Sequence, residues 1–233
     1  MINFIKRKLK SILYFIELNL KVKVSNKTPV DIYLDKLSED SYLFFENKMK
    51  QSQIFSKDED IRKYSISTAI DNDNEKNNLY LEFGVFKAES INLFSNILKN
   101  YNLTISGFDS FEGLDETWIT NEFNPIGTFS LKGKTPKVSS NVNLIKGNSN
   151  LVLKKIDMSK VDYVFLDGGH AYETVKNDLE CCLEVIRSNG TILCDDYNFG
   201  HLPDIKNAID EFVKKNNLNC QILCDGRFAR IEK

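Results

Sequence analysis

Apolar and polar positions follow two different rhythms along the chain. Up to about residue 70 the apolar residues recur at helical spacing. Ile5, Leu9, Ile12, Leu13, Ile16 and Leu20 fall on one helical face. Ser56 followed by Glu59 is a capping-box pattern, and it opens a further helix toward Ile70. The run from Asp71 to Asn78 is polar and charged and reads as a linker or surface loop. The chain therefore divides into a helical extension with its linker, residues 1–78, and a domain of different character, residues 79–233.

From Leu79 short apolar runs alternate with helical patterns. Strands are expected near 79–83, 103–108, 142–146, 161–166 and 190–194, and helices near 87–99, 149–156, 171–187 and 203–216. That alternation is the mark of βαβ units around a parallel sheet, an α/β fold. The ending differs. Leu218 to Cys224 and Arg227 to Glu232 flank an Asp225-Gly226 turn, which predicts an antiparallel hairpin. Between Ser110 and Val142 little regular pattern is left. A loop of that length in a compact domain usually has a function, and this one can lie over the carboxyl edge of the sheet.

Composition narrows the classes. A hydrophobic fraction of 42% and a charged fraction of 27% are those of a soluble globular protein. The net charge of -2 supplies no basic field for nucleic acid. The 5 cysteines form no CxxC pair and sit in apolar runs, as reduced thiols of a cytoplasmic protein do. Lys6, Arg7, Lys8 and Lys10 precede the apolar stretch 11–20 and give it a faint likeness to a signal peptide. Glu17 interrupts that stretch, no small-residue cleavage site follows, and it is too short to span a bilayer. It reads as a helix docked on its own domain or on a second subunit of a homo-oligomer. A basic amphipathic helix on a membrane surface is the alternative, followed by a cleaved signal.

The first strand ends in Leu81-Glu82-Phe83-Gly84-Val85-Phe86. Gly84 allows a tight turn and close approach of a ligand, and a helix starts just beyond. The further glycines of a dinucleotide fingerprint are missing: Phe86 or Lys87 and Glu89 stand in their places, which argues against NAD. The second strand ends at Asp109, where a carboxylate suits the two hydroxyls of a ribose.

Four segments, taken in order, resemble one family. They are Leu81 to Phe86, Gly107-Phe108-Asp109-Ser110-Phe111-Glu112-Gly113-Leu114, Phe165-Leu166-Asp167-Gly168-Gly169-His170-Ala171-Tyr172, and Asp195-Asp196-Tyr197. They are similar to motifs of the class I S-adenosylmethionine (SAM)-dependent methyltransferases, in the group that includes the macrocin-type sugar O-methyltransferases. The resemblance implies a Rossmann-like seven-stranded sheet with an antiparallel last strand. It implies SAM as cofactor, with Glu82 and Gly84 near the methionine and ribose, Asp109 on the ribose hydroxyls, and Gly147-Asn148-Ser149 near the adenine. Phe83, Val85, Phe86, Ser90, Ser110 and Asp167 complete the expected cofactor contacts. Ala88 departs from the pattern, since related sequences often carry Gly there.

Asp167 ends the fourth strand, and Asp195 and Asp196 end the fifth. Unpaired carboxylates converging on one sheet edge would repel one another, and a hard cation such as Mg²⁺ or Mn²⁺ would relieve that. The resemblance also places metal-binding acids at these strand ends. His170 follows Asp167 by three residues across Gly168-Gly169. In catechol-type relatives a Lys base stands at that spacing, so His170 is the candidate general base, with His201 as the second. Trp118, with Asp115 and Glu116, sits on the long loop, either closing over the substrate or anchoring the loop by packing. The expected reaction is methyl transfer to a hydroxyl of a small polar substrate, on the resemblance a sugar or glycan precursor. Two other readings compete: a nucleotide-dependent enzyme of another class on the same sheet, and a non-catalytic binding or scaffold protein. The intact acids at 109, 167, 195 and 196 argue against the second.

Overall fold

The computed structural model describes residues 27–49, 53–72, 79–119, 123–147, 161–198, 203–223 and 227–233. The apolar stripe of residues 5–20, Asn148, the helix expected over 149–156, His201 and the Asp225-Gly226 turn lie outside the described residues. By contacts the chain divides into two units, 1–38 and 39–233. In the first, helix α1 (Pro29–Met49) starts at a reciprocal cap. Thr28 Oγ1 accepts from Asp31 N at 3.2 Å, and Thr28 N donates to Asp31 Oδ2 at 2.7 Å. Pro29 takes the first helical position, where its missing N–H costs nothing.

The second unit carries α2 (Asp58–Asp71), β1 (Leu79–Phe83), α3 (Glu89–Leu98), β2 (Ile105–Asp109), the short β3 (Trp118–Ile119) and β4 (Phe123–Asn124), and β5 (Val142–Lys146). After these come β6 (Val161–Leu166), α4 (Tyr172–Val185), β7 (Ile186–Cys194), α5 (Pro203–Asn216), β8 (Asn219–Leu223) and β9 (Phe228–Glu232). The capping box expected at Ser56 does not form. The N-cap is Lys57, one residue later, with no side-chain cap bond. Glu59, which would have reached back, is held by Lys63 one turn ahead at 2.5 Å. Asp58, Glu59 and Asp60 instead place negative charge against the positive end of the helix dipole.

Seven strands form one sheet in the order β5-β2-β1-β6-β7-β9-β8. All neighbours are parallel except at β9, which runs antiparallel to both β7 and β8. Successive residues of the central strands bury opposite ways, as period-two pleating requires. On β6, Val164 and Leu166 join Val175, Leu179, Ile205 and Phe212 of α4 and α5. Tyr163 and Phe165 join Ile61 and Ile66 of α2 and Ile91 and Phe94 of α3. Both faces of the sheet are thus covered, which explains why the strands read as unbroken apolar runs. Ile61 and Ile66 are fully buried, at about 1.5–3 kcal/mol each, so α2 is part of this core. The sheet's carboxyl edge is left as the place where strand ends and loops converge.

Candidate active site

The turn after β1 is built around a steric demand. Gly84 has φ +87°, and a Cβ there would lie 1.9 Å from the Asp167 carbonyl oxygen. The ends of β1 and β6 are drawn together by Asp167 N donating to Phe83 O at 2.9 Å. Only glycine leaves room for both. Four residues on, Ala88 is the N-cap of α3 at φ 67°. This left-handed conformation is one that glycine adopts at no steric cost, and it gives a physical reason for the glycine of related sequences.

Asp109 clamps this turn. Its Oδ2 accepts from Val85 N at 2.9 Å and Phe86 N at 2.8 Å, and its Oδ1 accepts from Phe111 N at 2.6 Å. A carboxylate offers about four lone-pair positions, so three are spent on the backbone. Glu82 lies fully buried behind the turn. Ser90 donates to its Oε1 at 2.7 Å, while Oε2 has no hydrogen-bond partner among the described residues. Burial pushes the Glu82 carboxyl up to about 8, which keeps it protonated near neutral pH.

A cleft of about 440 Å³ opens in front of these residues. Of the residues expected from sequence, it brings together Gly84, Val85, Phe86, Ser90, Asp109, Asp167, His170 and Asp196, with Trp118 on the loop above. Glu82, Phe83, Ser110 and Asp195 do not line it. Ser110 turns into its own loop, where its hydroxyl accepts from Glu112 N at 3.1 Å. Arg62, Lys87 and Phe129 line the cleft without having been expected. Arg62 lies on α2, ahead of every motif, and no sequence signal marks it.

The long loop is ordered by its own backbone. Leu114 N donates to Thr128 O at 2.9 Å, and Leu131 N and Gly133 N both donate to Phe111 O. Glu116 Oε1 accepts from Trp118 Nε1 at 3.1 Å and from Ala171 N, the N-cap of α4, at 3.0 Å. The indole is thereby laid on His170, rings stacked at 3.8 Å. His170 Nε2 lies 3.6 Å from Asp196 Oδ2, and its Nδ1 is buried without a hydrogen-bond partner among the described residues. Burial lowers the imidazole to about 4, against the opposing pull of Asp195.

The acid cluster differs from expectation. Asp195 is not an open ligand: Arg62 holds its Oδ2 at 3.0 Å and Arg227 holds its Oδ1 at 3.0 Å. Asp196 lies 3.3 Å from Arg227, and burial with the neighbouring Asp195 charge raises it to about 6. Asp167, whose carboxylate no described residue hydrogen-bonds, is raised well above the usual range by burial and then by Asp195 and Asp196. Among the described residues, no group of three His, Cys, Asp or Glu side chains is placed to hold a metal ion. The trio expected to bind Mg²⁺ or Mn²⁺ does not fit a divalent cation as arranged, because guanidinium groups already balance its central member.

The strand order, with β9 reversed and the cleft at the carboxyl ends of β1, β2 and β6, is that of the class I methyltransferase fold. A family model described as a methyltransferase domain matches residues 81–197, half of the chain. The chain belongs to that family. A curated relative, "Uncharacterized protein R132" of Acanthamoeba polyphaga mimivirus, is 29% identical over 148 residues, covering 60% of this chain and 61% of that protein. The chain thus spans less than two thirds of that relative. The O-methyltransferase NovP superposes with a TM-score of 0.57 at 17% identity, covering 75% of this chain and 78% of that one. The calicheamicin methyltransferase CalS11 does so with 0.59 at 14%, covering 89% and 94%. At these identities the likeness shows the fold. No described helix is long and apolar enough to cross a membrane.

Proposed function

We propose that this protein transfers the methyl group of SAM to a hydroxyl of a small polar acceptor, a sugar or glycan precursor, with His170 as proton acceptor. The observation that carries the reading is a neutral imidazole on the wall of the cleft that also holds the Gly84 turn. SAM, when bound, supplies a methyl already activated for in-line displacement, so the protein's work is positioning and proton transfer. The Gly84 turn gives close backbone approach, and Asp109 fixes its amides. With Nδ1 buried in the wall of the cleft, Nε2, which lies 3.6 Å from Asp196, is the nitrogen that takes the proton of the acceptor hydroxyl. The Asp196 carboxylate then stabilises the imidazolium that forms.

Support for oxygen and for a sugar comes from the neighbours: NovP is an O-methyltransferase, and CalS11 a TDP-rhamnose 3'-O-methyltransferase. The divalent cation expected at Asp167, Asp195 and Asp196 is left out, since Asp195 is spoken for by Arg62 and Arg227. The test is incubation of purified protein with SAM and a panel of nucleotide-linked sugars, free sugars and small hydroxy acids, read by mass spectrometry. A methyl ether whose formation fails in His170→Ala is the expected product. A methyl group on nitrogen or carbon would overturn the assignment.

A further inference from the structure

The acids at the ends of β6 and β7 are balanced from two directions. Arg62 reaches in from α2, and its guanidinium lies over the rings of Phe165 and Phe228 at 5.3 and 5.7 Å. Arg227 reaches in from the residue before β9 and also holds Asp58, at the start of α2, at 2.7 Å. Each oxygen of Asp195 meets one guanidinium, and Asp196 N donates to Oδ1 at 2.8 Å as well. The Asp195 carboxylate is only 2% exposed and Arg62 19%, so neither charge is satisfied by bulk water. Both arginines fall outside the matched segment 81–197, so the family's motifs carry the acids but not their partners.

A Mg²⁺ or Mn²⁺ ion needs oxygen ligands in near-octahedral array, and Mg²⁺ in particular gives up its waters reluctantly. Here it would have to expel two planar guanidinium groups, one of them packed on aromatic rings, and then sit beside them as a like charge. We infer that Arg62 and Arg227 take the cation position at this sheet edge, so that the acid cluster is neutralised by the chain itself and methyl transfer needs no divalent metal. Arg62 thereby becomes a positioning residue: it holds Asp195, which underlies Asp196 and the His170 wall of the cleft.

The test separates metal binding from turnover. Mn²⁺ titration of the full-length protein, followed by electron paramagnetic resonance, should show no stoichiometric site at tens of micromolar metal. An Arg62→Met/Arg227→Met double variant, its fold checked by circular dichroism, should gain such a site, and Asp195→Asn on that background should remove it. A one-to-one site in the wild type that Asp195→Asn abolishes would overturn the inference, as would a folded double variant that gains none. If the double variant does not fold, the wild-type titration alone decides. Where an acceptor has been found, turnover should persist in EDTA, and loss reversed by Mg²⁺ would also overturn it. Failure to find any acceptor would count against the proposed function and leave the titration readable.

Discussion

The indole of Trp118 lies flat on the imidazole of His170, with ring centroids 3.8 Å apart and planes inclined by 13°. Glu116 fixes this stack by accepting from the indole N–H and from the amide of Ala171, the N-cap of α4, with one oxygen. The loop that looked patternless in sequence is therefore tied to the helix that follows β6. Its aromatic face removes water from the candidate base.

Opening that stack should move the titration of His170. Its folded value, about 4, lies below the ordinary value of about 6.5, because burial disfavours the imidazolium. Between those limits, falling pH protonates the unfolded chain but not the folded one, so this group's contribution to stability is lost as pH falls from about 6.5 to about 4. Trp118→Ala admits water and should raise the midpoint toward 6.5; Trp118→Phe should keep most of the depression. The imidazole C–H resonances follow this directly. A midpoint unmoved in Trp118→Ala would show that the ring is dried by something else.

His170→Gln should lower kcat by about a hundredfold to ten-thousandfold, the usual range for losing a general base. SAM affinity should stay within a few-fold, since the Gly84 turn and Asp109 are untouched. The KM for the acceptor should change less than kcat. Equal loss of SAM affinity, read by calorimetry, would place His170 in cofactor binding instead.

Asp109 was expected to hold ribose hydroxyls, and the geometry gives it a second job as the clamp of the Gly84 turn. Asp109→Asn should weaken both, because its single acceptor oxygen can serve Val85 and Phe86 or Phe111, but not both sets, and the amide nitrogen would face the remaining N–H donors. A charged hydrogen-bond partner is worth about 1.5–3 kcal/mol, so SAM should bind roughly tenfold to a hundredfold more weakly, with a lower melting temperature. A lowered melting temperature with unchanged SAM affinity would leave only the clamp.

Much of this was legible in the sequence because the signals were local. Apolar runs placed the central strands to within two residues, except β7, whose first residues, Ile186 to Asn189, precede the apolar stretch; Ile186 and Arg187 read as the end of a helix and Ser188 and Asn189 as a connection. Gly84, Asp109, Asp167 and His170 sit at strand ends, so the turn that exposes each is encoded beside it. What was missed depends on distant partners. Nothing near Asp195 in sequence reveals that Arg62, 133 positions away, and Arg227, 32 positions away, reach its carboxylate. The expectation of a metal rested on the convergence of the acids and on the family resemblance, and neither reveals these counter-ions. Likewise, Ser56 and Glu59 formed a correct local capping pattern, but Lys63 drew Glu59 away.

The two glycines that border the cleft at β1 and β6 should respond oppositely to one added methyl. At Gly84 the backbone is left-handed, φ +87°, and a Cβ would sit 1.9 Å from the Asp167 carbonyl oxygen and 2.5 Å from its carbon. The conformation alone costs an L-residue about 1–2 kcal/mol. The clash is with backbone, so relief requires moving the end of β6 and breaking the bond from Asp167 N to Phe83 O. That shift also displaces the amides that Asp109 gathers. Gly84→Ala should therefore abolish measurable SAM binding and lower the melting temperature by several degrees. At Gly168 the Cβ would meet nothing nearer than 3.9 Å, from Asp178 Oδ2 and Phe83 O. Gly168→Ala should leave stability within about 0.5 kcal/mol and SAM affinity within a few-fold. Differential scanning fluorimetry with and without S-adenosylhomocysteine reads both variants together. A Gly84→Ala protein that is still stabilised by S-adenosylhomocysteine would show that the turn does not approach the cofactor, and the site would have to be sought elsewhere along the sheet edge.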